Sequence, residues 1–391
     1  MKKGKTIVEQ LNNKGNVYMD VDYTFSPEEI TNLLSNYVEV KRKDRNILIC
    51  NYNGKDFAMY LKNITYLGNP HPKYKKRIQL GDNFKKKYNE YKKMGTPLLV
   101  IGVYKHDDVL LFVGFNTDKY KNNKSHNSSA HIFISDLQQA INKGYYKKID
   151  YFSNEITSFT PDNLNKYLDS VLIKGDEFDD MFTEVDSFFK SVPKDWNGIE
   201  CYQEMINADF NMKYQPEWPG FYLEYKFADY INKNKLNNVI EYEQNKTKGS
   251  IDLDLYFPRT SSYGDLKCHS VDAGAIPGND YETITKLIKD SSVYYVVCEH
   301  ETVKDSELGY ATTKFWNESQ HKDDLMSYHA RMKGKVHITS YMILEINSYN
   351  SRYLSDFQKG MVNSNGKPRN NKIMISKKEL KNFVVYRHDF N

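Results

Sequence analysis

The stretch "IDLDLYFPRTSSYGDLKCHS", residues 251–270, places charged side chains inside two runs that otherwise predict β-strands. Asp252 and Asp254 lie in the first run, and Asp265, Lys267 and His269 lie in the second. Strand interiors are poor in Asp, and a buried carboxylate is costly unless another group compensates its charge. Any fold of this chain must therefore supply a cation or a ligand at these positions.

The spacing of these residues predicts where they meet. Alternate residues of a strand share a face, so Asp252 lies beside Asp254, and Asp265 lies beside Lys267. If residues 258–264 form the turn of a hairpin, the two acidic faces converge near the turn. Clustered carboxylates suit Mg²⁺, and a neighbouring lysine can orient or deprotonate a water, or stabilise charge on a phosphate. This combination predicts metal-assisted hydrolysis of a phosphodiester.

A helix upstream of this stretch carries a further candidate. Phe221, Glu224, Tyr225 and Ala228 follow the i, i+3, i+4, i+7 spacing of an apolar helix stripe. A carboxylate on such a stripe needs a partner. From the spacing alone, Glu224 either takes a partner in a buried site, reaches the rim of the helix, or pairs with a lysine.

The pattern "IDLDLYF…GDLK" resembles the signature of the PD-(D/E)xK nuclease superfamily, although the proline of that signature is absent. Residues 219–298 also give the superfamily's predicted order of helix, strand, two motif strands, helix and strand. The resemblance implies a Mg²⁺-dependent endonuclease that cuts double-stranded DNA, most often a type II restriction enzyme. It implies that Asp254 and Asp265 hold the metal, with Asp252 or Glu224 as a further ligand, and that Lys267 acts on the water or on charge. Such an enzyme works beside a cognate DNA methyltransferase, and a palindromic site favours a homodimer.

A chain of 391 residues exceeds one usual hydrophobic core, so two domains are expected. The acidic segment "IKGDEFDDMF" marks the boundary. We expect residues 1–175 to form an α/β or mostly β DNA-recognition domain, with a hairpin over residues 97–116 and a helix over residues 134–144 that stops at Gly144. Residues 176–391 are expected to form an α/β nuclease domain, a restriction-endonuclease-like core with a mixed sheet flanked by helices, in which residues 350–360 form a helix.

The composition indicates a cytoplasmic protein without a membrane segment. Four scattered cysteines favour a reducing compartment, the N-terminus lacks the apolar run of a signal peptide, and no apolar run could span a membrane. The net charge of +4 neither requires nor excludes a nucleic-acid partner.

Local basic or polar segments predict the DNA contacts. Lys85 lies in a lysine-rich and tyrosine-rich segment at 73–95, and Asn127 lies in the polar loop at 120–131. A basic loop contains Arg369, Asn370 and Lys372, residue types suited to base edges or phosphates, and His269 shares the face of Lys267. Each segment could equally be an ordinary solvated surface.

Two alternative functions remain open from the sequence. The same site could serve a repair, recombination or modification-dependent nuclease. The chain could also be a DNA-binding protein without catalysis, in which the acidic hairpin is structural. Metal dependence separates the catalytic functions from the last one.

Overall fold

The computed structural model divides the chain into two compact units, Met1–Glu177 and Phe178–Asn391. Both combine helices with strands, and the architecture is mixed α/β with several sheets. The predicted boundary falls at 175/176, among residues that are not described, and the roles assigned to the two domains remain predictions. The structure describes residues 2–81, 83–120, 128–174, 180–210, 216–243, 251–309, 314–316, 318, 331–358, 360–362, 366 and 368–390.

The first unit is built around a seven-stranded sheet with the order β11-β12-β9-β8-β5-β4-β3. A two-stranded sheet, β1-β2, and a three-stranded sheet, β10-β7-β6, accompany it. Its elements are β1 (Lys2–Leu11), β2 (Val17–Thr24), α1 (Pro27–Ser35), β3 (Glu39–Asp44), β4 (Ile47–Tyr52), β5 (Lys55–Asn63), β6 (Thr65–Tyr66), β7 (Lys75–Leu80), α2 (Asn83–Lys93), β8 (Leu98–His106), β9 (Val109–Phe115), α3 (Thr117–Tyr120), β10 (Ser128–Phe133), α4 (Ile134–Lys143), β11 (Tyr145–Ile149), β12 (Glu155–Phe159) and α5 (Leu164–Asp169).

Local signals in the first unit act as expected. Strands β8 and β9 form an antiparallel hairpin whose turn places Asp107 in the left-handed region, at φ 43°. Helix α4 stops at Gly144, which adopts φ 74° as the C-terminal cap. The predicted hairpin and helix are therefore confirmed.

The second unit contains a seven-stranded sheet in which β13-β19-β18-β16-β15-β14 are neighbours and β22 pairs with β19. Strands β16 and β18 are parallel, and the other pairs are antiparallel. A three-stranded sheet, β17-β21-β20, belongs to the same unit. The elements are α6 (Asp180–Ser191), β13 (Asp195–Asn197), α7 (Gly198–Asn207), α8 (Trp218–Asn234), β14 (Glu241–Tyr242), β15 (Leu255–Phe257), β16 (Ser262–Ser270), β17 (Ala275–Asp280), α9 (Tyr281–Leu287), β18 (Val293–Lys304), α10 (Asp305–Leu308), β19 (Lys333–Ile346), β20 (Ser355–Phe357), β21 (Lys372–Ser376) and β22 (Val384–Asp389).

The hairpin at 251–270 differs from its prediction in two respects. Asp252 and Asp254 precede β15 instead of lying within it, and the turn is confined to residues 258–261. The ladder pairs Leu255 with Gly264 and goes no further, because the next amide, that of Asp254, donates to the Asp265 carboxylate. A side chain thus replaces the backbone partner that would have extended the strand.

Residues 350–360 do not form the predicted helix. A 3₁₀ turn, Ser351–Tyr353, is followed by β20, which pairs with β21. The backbone of β20 finds its partner about seventeen residues away, from Phe357 to Lys372 and from Ser355 to Met374. That pairing outweighs the local helical pattern. In the part of the chain that the structure describes, no helix is long and apolar enough to cross a membrane.

We predict that Gly264→Ala destabilises the second unit by about 1–3 kcal/mol, because β16 approaches its neighbours too closely for a side chain. A Cβ at Gly264 would lie 2.7 Å from the Tyr294 carbonyl oxygen and 2.7 Å from the Phe257 ring. Denaturant unfolding followed by tryptophan fluorescence measures this, because all three tryptophans belong to this unit. The control, Gly274→Ala, meets nothing within 4 Å and should change the unfolding free energy little. Equal effects of the two substitutions would contradict the packing argument.

Candidate active site

Three segments of the second unit bring the predicted catalytic residues together. Helix α8, which carries Glu224, packs against β16, which carries Asp265 and Lys267. Asp254 precedes β15 and lies across from Asp265, whose Oδ1 accepts a hydrogen bond from the Asp254 amide at 3.2 Å. The two motif segments are therefore joined at the position where the sequence predicted that they would converge.

The Lys267 ammonium donates to Oδ2 of Asp265, a side chain that is only 2% exposed. Burial by itself would lower the pKa of Lys267, but attraction to the carboxylates of Asp265, Asp254 and Glu224 outweighs burial and raises this pKa above its ordinary value. Lys267 is therefore an ammonium at neutral pH. It can donate hydrogen bonds to a water or a phosphate.

Glu224 is held by a residue that the sequence did not single out. The Tyr242 hydroxyl, from β14, donates to Oε2 of Glu224 at 3.2 Å. Burial, then the charges of Glu224 and Asp254, raise the pKa of Tyr242 well above its usual range, so the hydroxyl keeps its proton. Tyr242 thus acts as a fixed donor that orients the Glu224 carboxylate beside the Lys267 cation.

Asp252 is positioned through its backbone. The Asn279 side-chain amide, from β17, donates to the Asp252 carbonyl oxygen at 2.7 Å. Asn279 is fixed in turn by Tyr295 of β18. The Tyr295 hydroxyl donates to Oδ1 of Asn279 at 2.8 Å and accepts a hydrogen bond from the backbone N–H of Asn279 at 3.0 Å. The Lys267 Nζ lies 5.5 Å from the centroid of the Tyr295 ring. Tyr295 therefore touches both the cation and the support of the aspartate segment.

The carboxylates match the ligand chemistry of Mg²⁺, although they do not form a complete cage. Among the described residues, no group of three or more His, Cys, Asp or Glu side chains is placed to hold a metal ion. Mg²⁺ commonly takes only one or two protein carboxylates and fills its other positions with water and substrate phosphate. Asp265, Asp254 and Glu224 supply oxygen ligands of this kind, so the donor set fits.

A cavity of about 610 Å³ opens beside Asp254. Three tyrosines line it, namely Tyr242, Tyr256 and Tyr263, and the rings of the last two lie 5.0 Å apart between centroids. Aromatic side chains beside a phosphate-directed site are suited to stacking on bases or sugars. A substrate could approach Asp254 through this cavity.

Apart from His269, the predicted DNA contacts lie far from this site in the chain. Lys85 is exposed on α2 in the first unit, and Arg369 and Asn370 are exposed just before β21. Lys372 is half-buried at the start of β21. Asn127 lies outside the described residues. Contact of these residues with DNA remains a prediction.

His269 occupies a different environment from the one expected of a cleft residue. It is 5% exposed, and its Nε2 is buried without a hydrogen-bond partner in the structure. Burial lowers the pKa of His269 to about 4; Lys377, His300 and Lys333 add to this effect, while Glu299 opposes it. His269 is therefore a neutral core residue here, and a contact with DNA, which remains a prediction, would require it to be uncovered.

We predict that His269 makes the second unit lose stability as the pH falls from 6.5 to about 4. Between these pH values His269 binds a proton in the unfolded state but not in the folded state. The unfolding free energy therefore decreases by up to roughly 3 kcal/mol. Urea unfolding at several pH values should show a shallower loss in His269→Gln than in the wild-type protein. The control His337→Gln changes an exposed histidine of the same unit and should keep the wild-type slope. An identical slope in His269→Gln would refute the assignment.

Comparison with known proteins finds a match for one segment of the chain. Residues 55–168 match the family model Methylase-associated X1 (MTaX1), which covers less than a third of the chain. The matched segment lies within the first unit and contains none of the carboxylates around Lys267. No curated protein and no solved structure matches the chain. The match links the first unit to a family named for its association with methylases, which is the setting of restriction–modification systems.

Proposed function

We propose that the chain is a Mg²⁺-dependent endonuclease that cuts double-stranded DNA at a specific sequence, the type II restriction enzyme of a restriction–modification system. One observation carries the proposal. The Lys267 ammonium lies in the field of three carboxylates, Asp265, Asp254 and Glu224, which come from separate segments of the second unit. Burying this cluster of one ammonium and three carboxylates destabilises the fold, and a role in phosphodiester hydrolysis would explain why the chain contains it.

The order of elements around the site supports the same proposal. Helix α8 is followed by β14, β15 and β16, and helix α9 then leads to β18, which is parallel to β16. This order is similar to the core implied by the resemblance to PD-(D/E)xK nucleases. Strand β17 is an addition between β16 and α9, and it supplies Asn279 to the site.

Each side chain then has a distinct chemical role. Asp265 and Asp254 would hold Mg²⁺, with Glu224 as a further ligand. When bound, Mg²⁺ acidifies a water and polarises the scissile phosphate. Lys267 would donate hydrogen bonds to that phosphate or to the attacking water and stabilise the charge that develops. Asp265 orients Lys267, and Tyr242 orients Glu224.

The match of the first unit to the methylase-associated family supports the choice of substrate. An enzyme that accompanies a methyltransferase would cut DNA that lacks the protective methyl group, and the cognate methyltransferase would be its partner in the system. Recognition of a palindrome by two copies would make the working form a homodimer.

A modification-dependent nuclease is the second candidate. The segment matched by the methylase-associated family lies in the unit that lacks the carboxylate site. A separate unit of this kind could read methylated DNA instead of excluding it. Parallel assays on methylated and unmethylated DNA decide between these substrates.

We predict that purified protein cuts DNA into fragments with one shared end sequence when Mg²⁺ is present, and that EDTA stops this cleavage. Lys267→Ala should reduce the rate by roughly 10²–10⁴-fold, because it removes the cation that stabilises the transition state. Lys286→Ala removes an exposed lysine of the same unit and should retain the wild-type rate.

Unfolding followed by tryptophan fluorescence would show whether Lys267→Ala still folds, since the substitution leaves Asp265 without its cation. If the variant is unstable, Asp254→Asn, which leaves the Asp265–Lys267 ion pair intact, tests the same site. Cleavage at the wild-type rate by a folded variant of either kind would contradict the proposed function.

A further inference from the structure

Helix α2 of the first unit presents a face of lysines. Phe84 and Tyr91 are its buried residues and fix the opposite side to the unit. Four lysines are exposed, and at about 100° per residue they span an arc of roughly 120°. Asn89, also exposed, lies at the centre of this arc. The lysine face of α2 consists of Lys85, Lys86, Lys92 and Lys93.

The like charges of this face are not neutralised within the described part of the chain. Lys87, on another side of the helix, pairs at 3.3 Å with Asp44 and at 3.3 Å with Glu90, the one acidic residue of α2. The four lysines of the lysine face have no ion-pair partner among the described residues. Solvated helix faces usually mix both signs of charge, whereas this face carries one sign.

Helix stability does not explain the arrangement. Lys92 and Lys93 lie in the last turn, where the helix dipole favours cations. Lys85 and Lys86 lie in the first turn, where the dipole disfavours cations; the described residues of this turn include no acidic side chain, and Asp82, which precedes the helix, lies outside the described residues. The face therefore combines mutual repulsion with an unfavourable dipole contact, and a polyanionic partner would offset both.

The spacing of the charges fits a nucleic-acid backbone. Residues 85 and 93 are separated by about 12 Å along the helix axis, and the four charges form two pairs whose centres lie about 10 Å apart, roughly three phosphate steps along one DNA strand. One strand of a DNA duplex carries a phosphate per ~3.4 Å of axis. Lysine is a flexible point charge, and the face contains no arginine, the side chain that reads guanine by paired hydrogen bonds. The Asn89 amide could donate to a phosphate at the centre of the face.

We propose that the lysine face of α2 binds the phosphate backbone of DNA without regard to sequence. This inference rests on the proposed function in taking DNA as the ligand, and it gives the first unit a task that the carboxylate site does not perform. The face would hold the duplex electrostatically while other groups read the sequence. An acidic protein surface, such as that of a methyltransferase, is the competing partner.

The test measures DNA binding in EDTA, so that it does not depend on cleavage. Fluorescence anisotropy with a labelled duplex, at several NaCl concentrations, gives the slope of log K against log salt concentration. The full-length variant with Lys85, Lys86, Lys92 and Lys93 changed to Gln should bind more weakly at every concentration. Its slope should be shallower by about 2–4, since each phosphate contact contributes ~0.9.

Two further variants make the result specific. Removing four other exposed charges of the same unit, by changing Lys41, Arg42, Lys43 and Lys55 to Gln, should leave the slope near that of the wild-type protein. Changing the four α2 lysines to Arg keeps the charge and should also keep the slope. The proposal is overturned if the α2 Gln variant retains the wild-type slope, or if the control variant flattens the slope equally.

The outcome is distinguishable from that of the nuclease assay. A flattened slope in the α2 variant supports the lysine face even if Mg²⁺ produces no cleavage. If the substitutions weaken binding to an acidic protein while the DNA slope is unchanged, the face binds protein and the proposal fails.

Discussion

The ion pair between the buried Asp265 carboxylate and the Lys267 ammonium is the interaction on which the site depends. A charge of either sign left alone at this depth would cost about 3–5 kcal/mol, so each residue requires the other. The second oxygen of Asp265 accepts the Asp254 amide and thereby ends the β15–β16 ladder. The pair thus sets the local backbone as well as the charge of the site, and it keeps Lys267 protonated as a donor.

The two units contain different parts of the proposed enzyme. The second unit contains the carboxylates, the cation and the aromatic cavity, to which the proposed function assigns the phosphodiester hydrolysis. The first unit contains the segment that matches the Methylase-associated X1 family model, and within it the lysine face of α2. A chemical site in one unit and a charged, family-related surface in the other suit an enzyme that must both hold and cut a long polyanion.

The sequence correctly predicted the elements that depend on residues close in the chain. It missed elements and contacts that depend on partners distant in the chain. The stop of α4 at Gly144, the β8–β9 hairpin and the helix that carries Glu224 follow from residues close in the chain. The strand β20 was missed because its partner, β21, lies fifteen to nineteen residues further along the chain. The roles of Asn279 and Tyr295 were also missed, since they arise only when β17 and β18 meet across the aspartate segment.

The most direct measurement of the central claim is a titration of the protein with Mn²⁺, an ion that shares the oxygen-ligand preference of Mg²⁺, followed by electron paramagnetic resonance of the free ion. The account predicts a site in the wild-type protein that Asp265→Asn weakens by at least about tenfold, since one of its carboxylate ligands is lost. Asp290→Asn, which changes an exposed carboxylate of the same unit, should bind as the wild type does. Equal Mn²⁺ binding by the wild type and Asp265→Asn would contradict the account.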